Sequence, residues 1–201
     1  MRRLGIVFLL YFLLEAVSVS CSLICPCGCD TGSTPKRMDI QSWSVYTAGH
    51  NFEMLDTTKV YDYNKVLKVI QVDERLYVST LESVGNMIST AYACSPAPVE
   101  SIQKIESIQL ISRNEIALTS ETDLIPVGTD LNPRFVMTFH GSSNPEPINT
   151  FIQDLIIYDE DRYELQLNQK PFDETTLKFD LIITMTDGKV TELRNQIMKV
   201  K

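Results

Sequence analysis

Leu177-Lys178-Phe179-Asp180-Leu181-Ile182-Ile183-Thr184-Met185-Thr186, then Asp187-Gly188, then Lys189-Val190-Thr191-Glu192-Leu193-Arg194-Asn195-Gln196-Ile197-Met198-Lys199-Val200, decides the fold. Leu177, Phe179, Leu181, Ile183 and Met185 alternate with Lys178, Asp180, Ile182, Thr184 and Thr186, the period of a strand with one buried face. Asp-Gly is hairpin-turn chemistry. A two-residue loop at Asp187-Gly188 would set Ile183 opposite Glu192 and Leu181 opposite Arg194, placing charges on the apolar face. A three-residue loop with Gly188 in the left-handed conformation sets Ile183 opposite Thr191, Leu181 opposite Leu193 and Leu177 opposite Ile197. That register keeps one face apolar, so the reading predicts strands over residues 177–186 and 190–200.

The same alternation marks residues 162–168, where Tyr163, Leu165 and Leu167 face one way and Glu164, Gln166 and Asn168 the other. Weaker strand patterns cover 39–47 around Trp43, 65–72, 76–81, 105–112 and 134–139. Residues 87–93 and 148–157 read as short helices, the second with Phe151, Ile152 and Leu155 at helical spacing. Pro96, Pro98, Pro126, Pro133, Pro145, Pro147 and Pro171 punctuate these segments. About seven short strands with one or two helices predict an all-β fold, a two-sheet sandwich of immunoglobulin-like or transthyretin-like type.

The 201 residues, 44% hydrophobic and 22% charged, suit one globular domain. A net charge of −8 disfavours nucleic acid, whose binding draws on clustered Lys and Arg.

The first residues read as a secretory signal over 1–20. Arg2 and Arg3 precede an apolar run from Leu4 to Leu14, and small residues Ser18 and Ser20 stand before Cys21. The run is too short to span a bilayer. A cysteine as first mature residue resembles the bacterial lipoprotein pattern, which implies acylation of Cys21, with palmitate-type chains, and a membrane anchor. Removal of residues 1–20 leaves 16 basic and 25 acidic residues, a net −9.

Cys25, Cys27, Cys29 and Cys94 then remain, an even number in an oxidising compartment, and are the disulfide candidates. Every full pairing joins Cys94 to the cluster and closes a loop of over sixty residues, worth about 4 kcal/mol on the chain-entropy estimate. One intervening residue would strain a bridge inside the cluster, which favours Cys25–Cys29 with Cys27–Cys94, or free thiols. Metal binding is the rival, but the spacing is not that of a zinc site and no His lies near in sequence, so neither metal nor cofactor is expected. Residues 30–36 have the small, polar composition of a spacer. The organisation is therefore a signal peptide (1–20), an anchor, cysteine cluster and spacer (21–37), and a single sandwich domain (38–201).

The cysteine cluster, Ala91-Tyr92-Ala93-Cys94-Ser95, Gly128-Thr129-Asp130-Leu131 before Phe135, Pro171-Phe172 before the Leu177 strand, and the Asp187-Gly188 hairpin together resemble an uncharacterised family of Bacteroidetes lipoproteins, a domain of unknown function about 200 residues long. The resemblance implies an envelope lipoprotein with a β-rich domain. It brings no activity and no binding residues.

Catalytic patterns are thin. His140-Gly141-Ser142-Ser143 offers an imidazole and hydroxyls but no strand-turn-helix elbow, and His50 between Gly49 and Asn51 reads as turn material. Asp159-Glu160-Asp161 and Asp73-Glu74 supply carboxylates, read as solvated turns rather than an acid/base pair or a calcium loop. The 8 glycines are scattered, without a phosphate-binding loop. Tyr61, Tyr63 and Tyr158 are candidates for an exposed aromatic platform, core packing being the commoner fate of a strand tyrosine. The expectation is a non-catalytic cell-envelope lipoprotein, a binding or structural module, held to the membrane by its lipid and meeting a protein or glycan partner. The alternative is a secreted hydrolase with a dispersed site. No acidic residue follows Cys21 before Asp30, which favours a periplasm-facing position over the cell surface.

Overall fold

The computed structural model describes residues 36–78, 98–120, 122 and 124–201. Lys36–Leu81 with Pro98–Lys201 carries every element below, and Met1–Pro35 with Glu82–Ala97 lies outside the described residues. The expectations for the signal segment, Cys21, the cysteine pairings, residues 30–35 of the spacer and the helix at 87–93 all fall there.

The fold is all-β, in two facing sheets. The strands are β1 (Arg37–Ala48), β2 (Leu67–Val78), β3 (Glu100–Ser101), β4 (Ile105–Ser112), β5 (Ile116–Ala117), β6 (Leu124–Ile125), β7 (Phe135–Phe139), β8 (Glu146–Pro147), β9 (Arg162–Leu167), β10 (Thr175–Met185) and β11 (Val190–Val200), with one short helix, α1 (Ile148–Gln153). Four of these strands have only two residues, and the other seven form the body. One sheet has the order β3-β1-β2-β9-β7-β8, antiparallel except where β3 joins β1, and the second has the order β11-β10-β4. β5 and β6 make a separate two-stranded ladder.

The alternation that named β10 also builds the core. Leu177, Phe179, Leu181, Ile183 and Met185 are all buried, and Phe179 meets Phe135 of the other sheet at 5.6 Å between ring centroids. Trp43, Ile70, Met137, Tyr163 and Leu165 supply the facing layer. Phe139, Phe151 and Tyr163 cluster where α1 covers one end, with centroids 5.0 to 5.8 Å apart. The opposite face of the six-stranded sheet has its own small apolar patch of Ala48, Leu67 and Val69, with Tyr46 and Phe52 against it.

The hairpin has the expected three-residue loop. Gly188 has φ +85°, its N–H donates to Met185 O at 2.9 Å, and Met185 N–H donates to Lys189 O at 2.8 Å. Ile183 faces Thr191 and Leu181 faces Leu193, as expected, but Leu177 faces Met198 and not Ile197. The cause is a β-bulge: between Phe179 and Leu181 the partner strand advances from Gln196 to Leu193, one residue more than β10. Asn195 absorbs the extra residue at φ 56°, a conformation Asn tolerates better than most side chains. Beyond the bulge the inward-facing set of β11 changes parity, so Gln196, Met198 and Val200 follow Thr191 and Leu193 on the core side.

Other expectations are corrected. The strands expected at 65–72 and 76–81 are one element, β2, through residue 78, with 79–81 outside the described residues. Asp73 and Glu74 do not interrupt it, because offset irregularities opposite Ile40, Ser42 and Trp43 keep it paired with β1. The helix expected over 148–157 stops at Gln153. Asp154 leaves helical geometry, and Ile157 is drawn into extended pairing when its carbonyl accepts Ser101 N–H at 2.7 Å. Asp180, expected on the solvent face, is buried beneath Arg113.

The exposed edge of β4 is closed by the Gly128–Asn132 segment. Gly128 N–H donates to Ser112 O, Ser112 N–H to Thr129 O and Leu131 N–H to Leu110 O, at 2.7 to 3.0 Å. The Asn132 side chain finishes the row, accepting Leu110 N–H at 3.0 Å and donating to Ile108 O at 2.6 Å. Gly128 supplies the left-handed turn, φ +86°, that starts the run.

Candidate functional site

Alternation places Glu164 of β9 on the outer face of the six-stranded sheet, between Val69 of β2 and Thr138 of β7. It is nevertheless only 5% exposed, because the turn after β7 and the loop bearing Phe52 fold over it. Gly141, at φ +75°, directs its N–H to Glu164 Oε1 at 3.3 Å, and His140 Nδ1 lies 3.4 Å from the same oxygen. Gln166 Nε2 donates to Oε2 at 3.1 Å. The Phe52 ring meets the His140 imidazole edge-on, centroids 3.6 Å apart, and Phe52 itself has φ 59°. The result is an acid–imidazole pair with an aromatic wall.

Two members of a nucleophile–base–acid set are thus together and the third is not. Ser142 Oγ accepts Asn144 N–H at 3.4 Å within its own turn, and no hydrogen bond links it to His140. His50 does not join the pair: its Nε2 makes a short contact with Asn64 O.

The acidic run at 159–161 is tied into the structure. Asp161 Oδ2 accepts Tyr158 N–H at 2.8 Å and Tyr163 O–H at 3.0 Å, and burial together with Asp161 pushes the Tyr163 phenol up, far above the usual tyrosine range. Asp159 O accepts from Arg75 at 3.0 Å, and its carboxylate lies 3.6 Å from the same guanidinium. Among the described residues, no three His, Cys, Asp or Glu side chains come together to hold a metal ion.

Of the two fates open to the candidate tyrosines, the structure shows core packing rather than a platform. Tyr61 and Tyr63 pack against the core and Tyr158 is half-buried. Tyr61 is engaged through its backbone as well, its N–H donating to Lys199 O at 3.1 Å beside the last residues of β11. Among the described residues the exposed aromatics are Phe139, Phe172 and Tyr77, and Tyr77, 57% accessible, stands near the end of β2 between exposed Leu76 and Val78. Arg75 Nε donates to Tyr77 Oη at 2.9 Å, and Tyr77 O–H donates to Asp159 Oδ2 at 3.3 Å. This chain of donors fixes the ring at the surface. The available signal was the run Leu76-Tyr77-Val78, three successive large apolar residues, at least one of which must face solvent in a strand with one buried face.

A second group lies inside. Lys68 of β2, only 2% exposed, shares the core-facing side of its strand with Val66, Ile70 and Val72. Its ammonium donates to Thr47 Oγ1 of β1 at 2.8 Å and, across the interior, to Gln196 Oε1 of β11 at 3.3 Å. Burial lowers the amine to about 8. Sequence reading missed it because a lysine within Val66-Leu67-Lys68-Val69-Ile70 looks like an outward residue of an alternating strand.

A shallow concavity of about 290 Å³ is lined by Asp62, Lys170, Phe172, Asp173, Glu174 and Lys201, with charges of both signs. No protein-family model, curated protein or solved structure matches the chain. Among the described residues no helix is long and apolar enough to cross a membrane.

Proposed function

We propose that the protein is a cell-envelope lipoprotein of the bacterial type, anchored through Cys21 and facing the periplasm, whose sandwich is a non-catalytic module that meets a protein or glycan partner. The observation that carries the binding reading is the Leu76-Tyr77-Val78 strip, exposed on both faces of β2 and held by Arg75 and Asp159. Tyr and Arg dominate interface energetics because they bring large area with a polar handle, and a ring already fixed by hydrogen bonds loses little freedom on binding. The anchor rests on the sequence from Arg2 to Cys21. Resemblance to an envelope lipoprotein family supports the same location.

Both halves are tested in native envelopes. Mass spectrometry of the membrane-extracted protein is expected to show a lipid-modified N-terminal Cys21, and Cys21→Ala to move the protein to the soluble fraction. A photo-crosslinking residue at position 77 is expected to capture a discrete partner that the same residue at Lys178 does not. An unmodified N-terminus in the soluble fraction overturns the anchor, and equal labelling from positions 77 and 178 overturns the binding surface.

The hydrolase alternative has one observation in its favour, the His140–Glu164 pair. It requires a substrate or water to occupy the place that Ser142 does not. Turnover of an ester, peptide or glycoside panel that is abolished in Glu164→Gln would move the reading there.

A further inference from the structure

The Asn195 bulge has a second effect besides changing which apolar residues of β11 face inward. In an unbulged strand Gln196 would share the outward side with Arg194. The extra residue turns it into the interior, where its amide oxygen receives the ammonium of Lys68 from the other sheet. Bulges that re-aim one side chain are retained features of folds rather than defects. A hydrogen bond across the interior, made by a titratable group, is therefore built into the most weakly covered strand of the smaller sheet, where Leu193, Gln196 and Ile197 are only half-buried.

We propose that Lys68 and Gln196 form a proton-operated latch between the two sheets, at which the buried charge weakens the fold while Lys68 carries its proton and ceases to do so when the proton is released. The surroundings make the sign clear. Thr47 of β1 and Leu165 of β9 flank Lys68 laterally, and Gln196 faces it from β11. Among the described residues, no charged group of these elements pairs with Lys68: Asp39 of β1 binds Lys189, and the Tyr163 hydroxyl of β9 donates to Asp161. Glu164 is on the outer face with His140 and Gly141, Arg194 pairs with Glu192, Lys199 donates to Thr58 O, and Asp180 of the neighbouring β10 is held by Arg113 and Asn195. On its own element's approach, Lys65 pairs with Asp62 at 2.9 Å. No described carboxylate forms an ion pair with Lys68, so the charged form is buried between two neutral acceptors and is the costly one. The neutral amine can still donate to Gln196 Oε1 and accept from the Thr47 hydroxyl.

In the full chain, unfolding is followed through Trp43, the sole tryptophan, which is buried. A native amine below its unfolded value binds fewer protons than the unfolded chain, so stability rises with pH between the two. The unfolding constant is expected to fall about 25-fold from pH 7 to pH 9.5 in the wild type, and not in Lys68→Met. Gln196→Glu, which supplies the missing counter-charge, is expected to abolish the rise as well. A variant-free measurement accompanies these: the side-chain amide NMR signals of Gln196 are expected to shift with the same midpoint as Lys68 Cε, below that of the other lysines. An alkaline rise that persists in both variants, or a Lys68 that titrates with the surface lysines, overturns the latch.

Discussion

Asn195 and Asp180 face each other across the C-terminal hairpin, with the backbone N–H of Asn195 donating to Asp180 Oδ1 at 2.9 Å while its φ stands at 56°. Arg113 closes the other side of the same carboxylate, donating from Nε to Oδ2 at 2.7 Å with a second, shorter contact from its terminal nitrogen. Together these groups stabilise the bulge: the donor it frees is satisfied, and the buried acid that satisfies it is paired. Asn195→Gly is expected to be nearly neutral in urea unfolding, whereas Asn195→Val, strained in the left-handed region, costs about 1–3 kcal/mol.

Acid unfolding reads the same carboxylate. The Arg113 hydrogen bond holds the Asp180 carboxyl below its ordinary value of 3.8, with the Asn195 N–H acting in the same direction. Its contribution to stability is complete above the unfolded value and is lost as pH falls through the lower, folded one. Asp180→Asn is expected to be less stable than the wild type at pH 6, and the difference to shrink as pH falls below 3.8, measured by urea midpoints at each pH. A difference that does not change with pH would contradict this role.

Leu181 and Lys178 test the register. Leu181 is fully buried opposite Leu193 and Lys178 is exposed on the opposite face. Leu181→Ala is expected to cost about 2–5 kcal/mol and Lys178→Ala less than about 0.5 kcal/mol. A neutral Leu181→Ala would reject the packing of β10 described above.

Gly188 and Asp187 separate two roles within one turn. Nothing lies within 4 Å of a Cβ built on Gly188, so the cost of Gly188→Val comes from its positive φ alone, about 1–3 kcal/mol. Asp187 accepts Gln103 Nε2–H at 2.6 Å and Lys189 N–H at 3.1 Å, and these bonds hold its carboxyl below the usual range. Asp187→Ala is therefore expected to lower the thermal midpoint, where a plain turn position would leave it unchanged.

Asn132 acts as a surrogate strand, and removal of its side chain leaves Leu110 N–H and Ile108 O on the β4 edge without those partners. Asn132→Ala is expected to cost about 1–3 kcal/mol and to speed amide hydrogen exchange at Leu110. Exchange at Met185, in the hairpin, should be unaffected.

Strand periodicity made the hairpin legible because each inward residue of β10 from Leu177 to Met185 is apolar and a slip of one would expose all of them. It could not reveal the bulge, since Asn195 is ordinary in sequence and its role depends on Asp180 and on Arg113, which is remote in the chain. Lys68 and Tyr77 were hidden for opposite reasons. One is a charge on the buried face, held by partners from two other strands, and the other is an apolar ring on a strand end that outruns its cover. Tyr61 and Tyr63 looked exposed because a loop gives no sign of what it packs against. The acid–imidazole pair joins His140 to Glu164 through the neighbouring β7 and β9, a pairing that only the sheet order supplies.

The segment from Gly128 to Asn132 also bears on how these molecules behave when many are packed together. A three-stranded sheet has two raw sides, and each is a template on which a neighbour can polymerise. Here one side is spent internally, row by row, down to the amide of a single side chain. The other carries the Glu192–Arg194 pair and the kink at Asn195, with Gln196 Nε2 donating to Arg194 O at 3.2 Å. At high local density the smaller sheet thus presents neighbours with one closed border and one that is charged, bent and partly self-bonded, so both margins work against edge-to-edge growth.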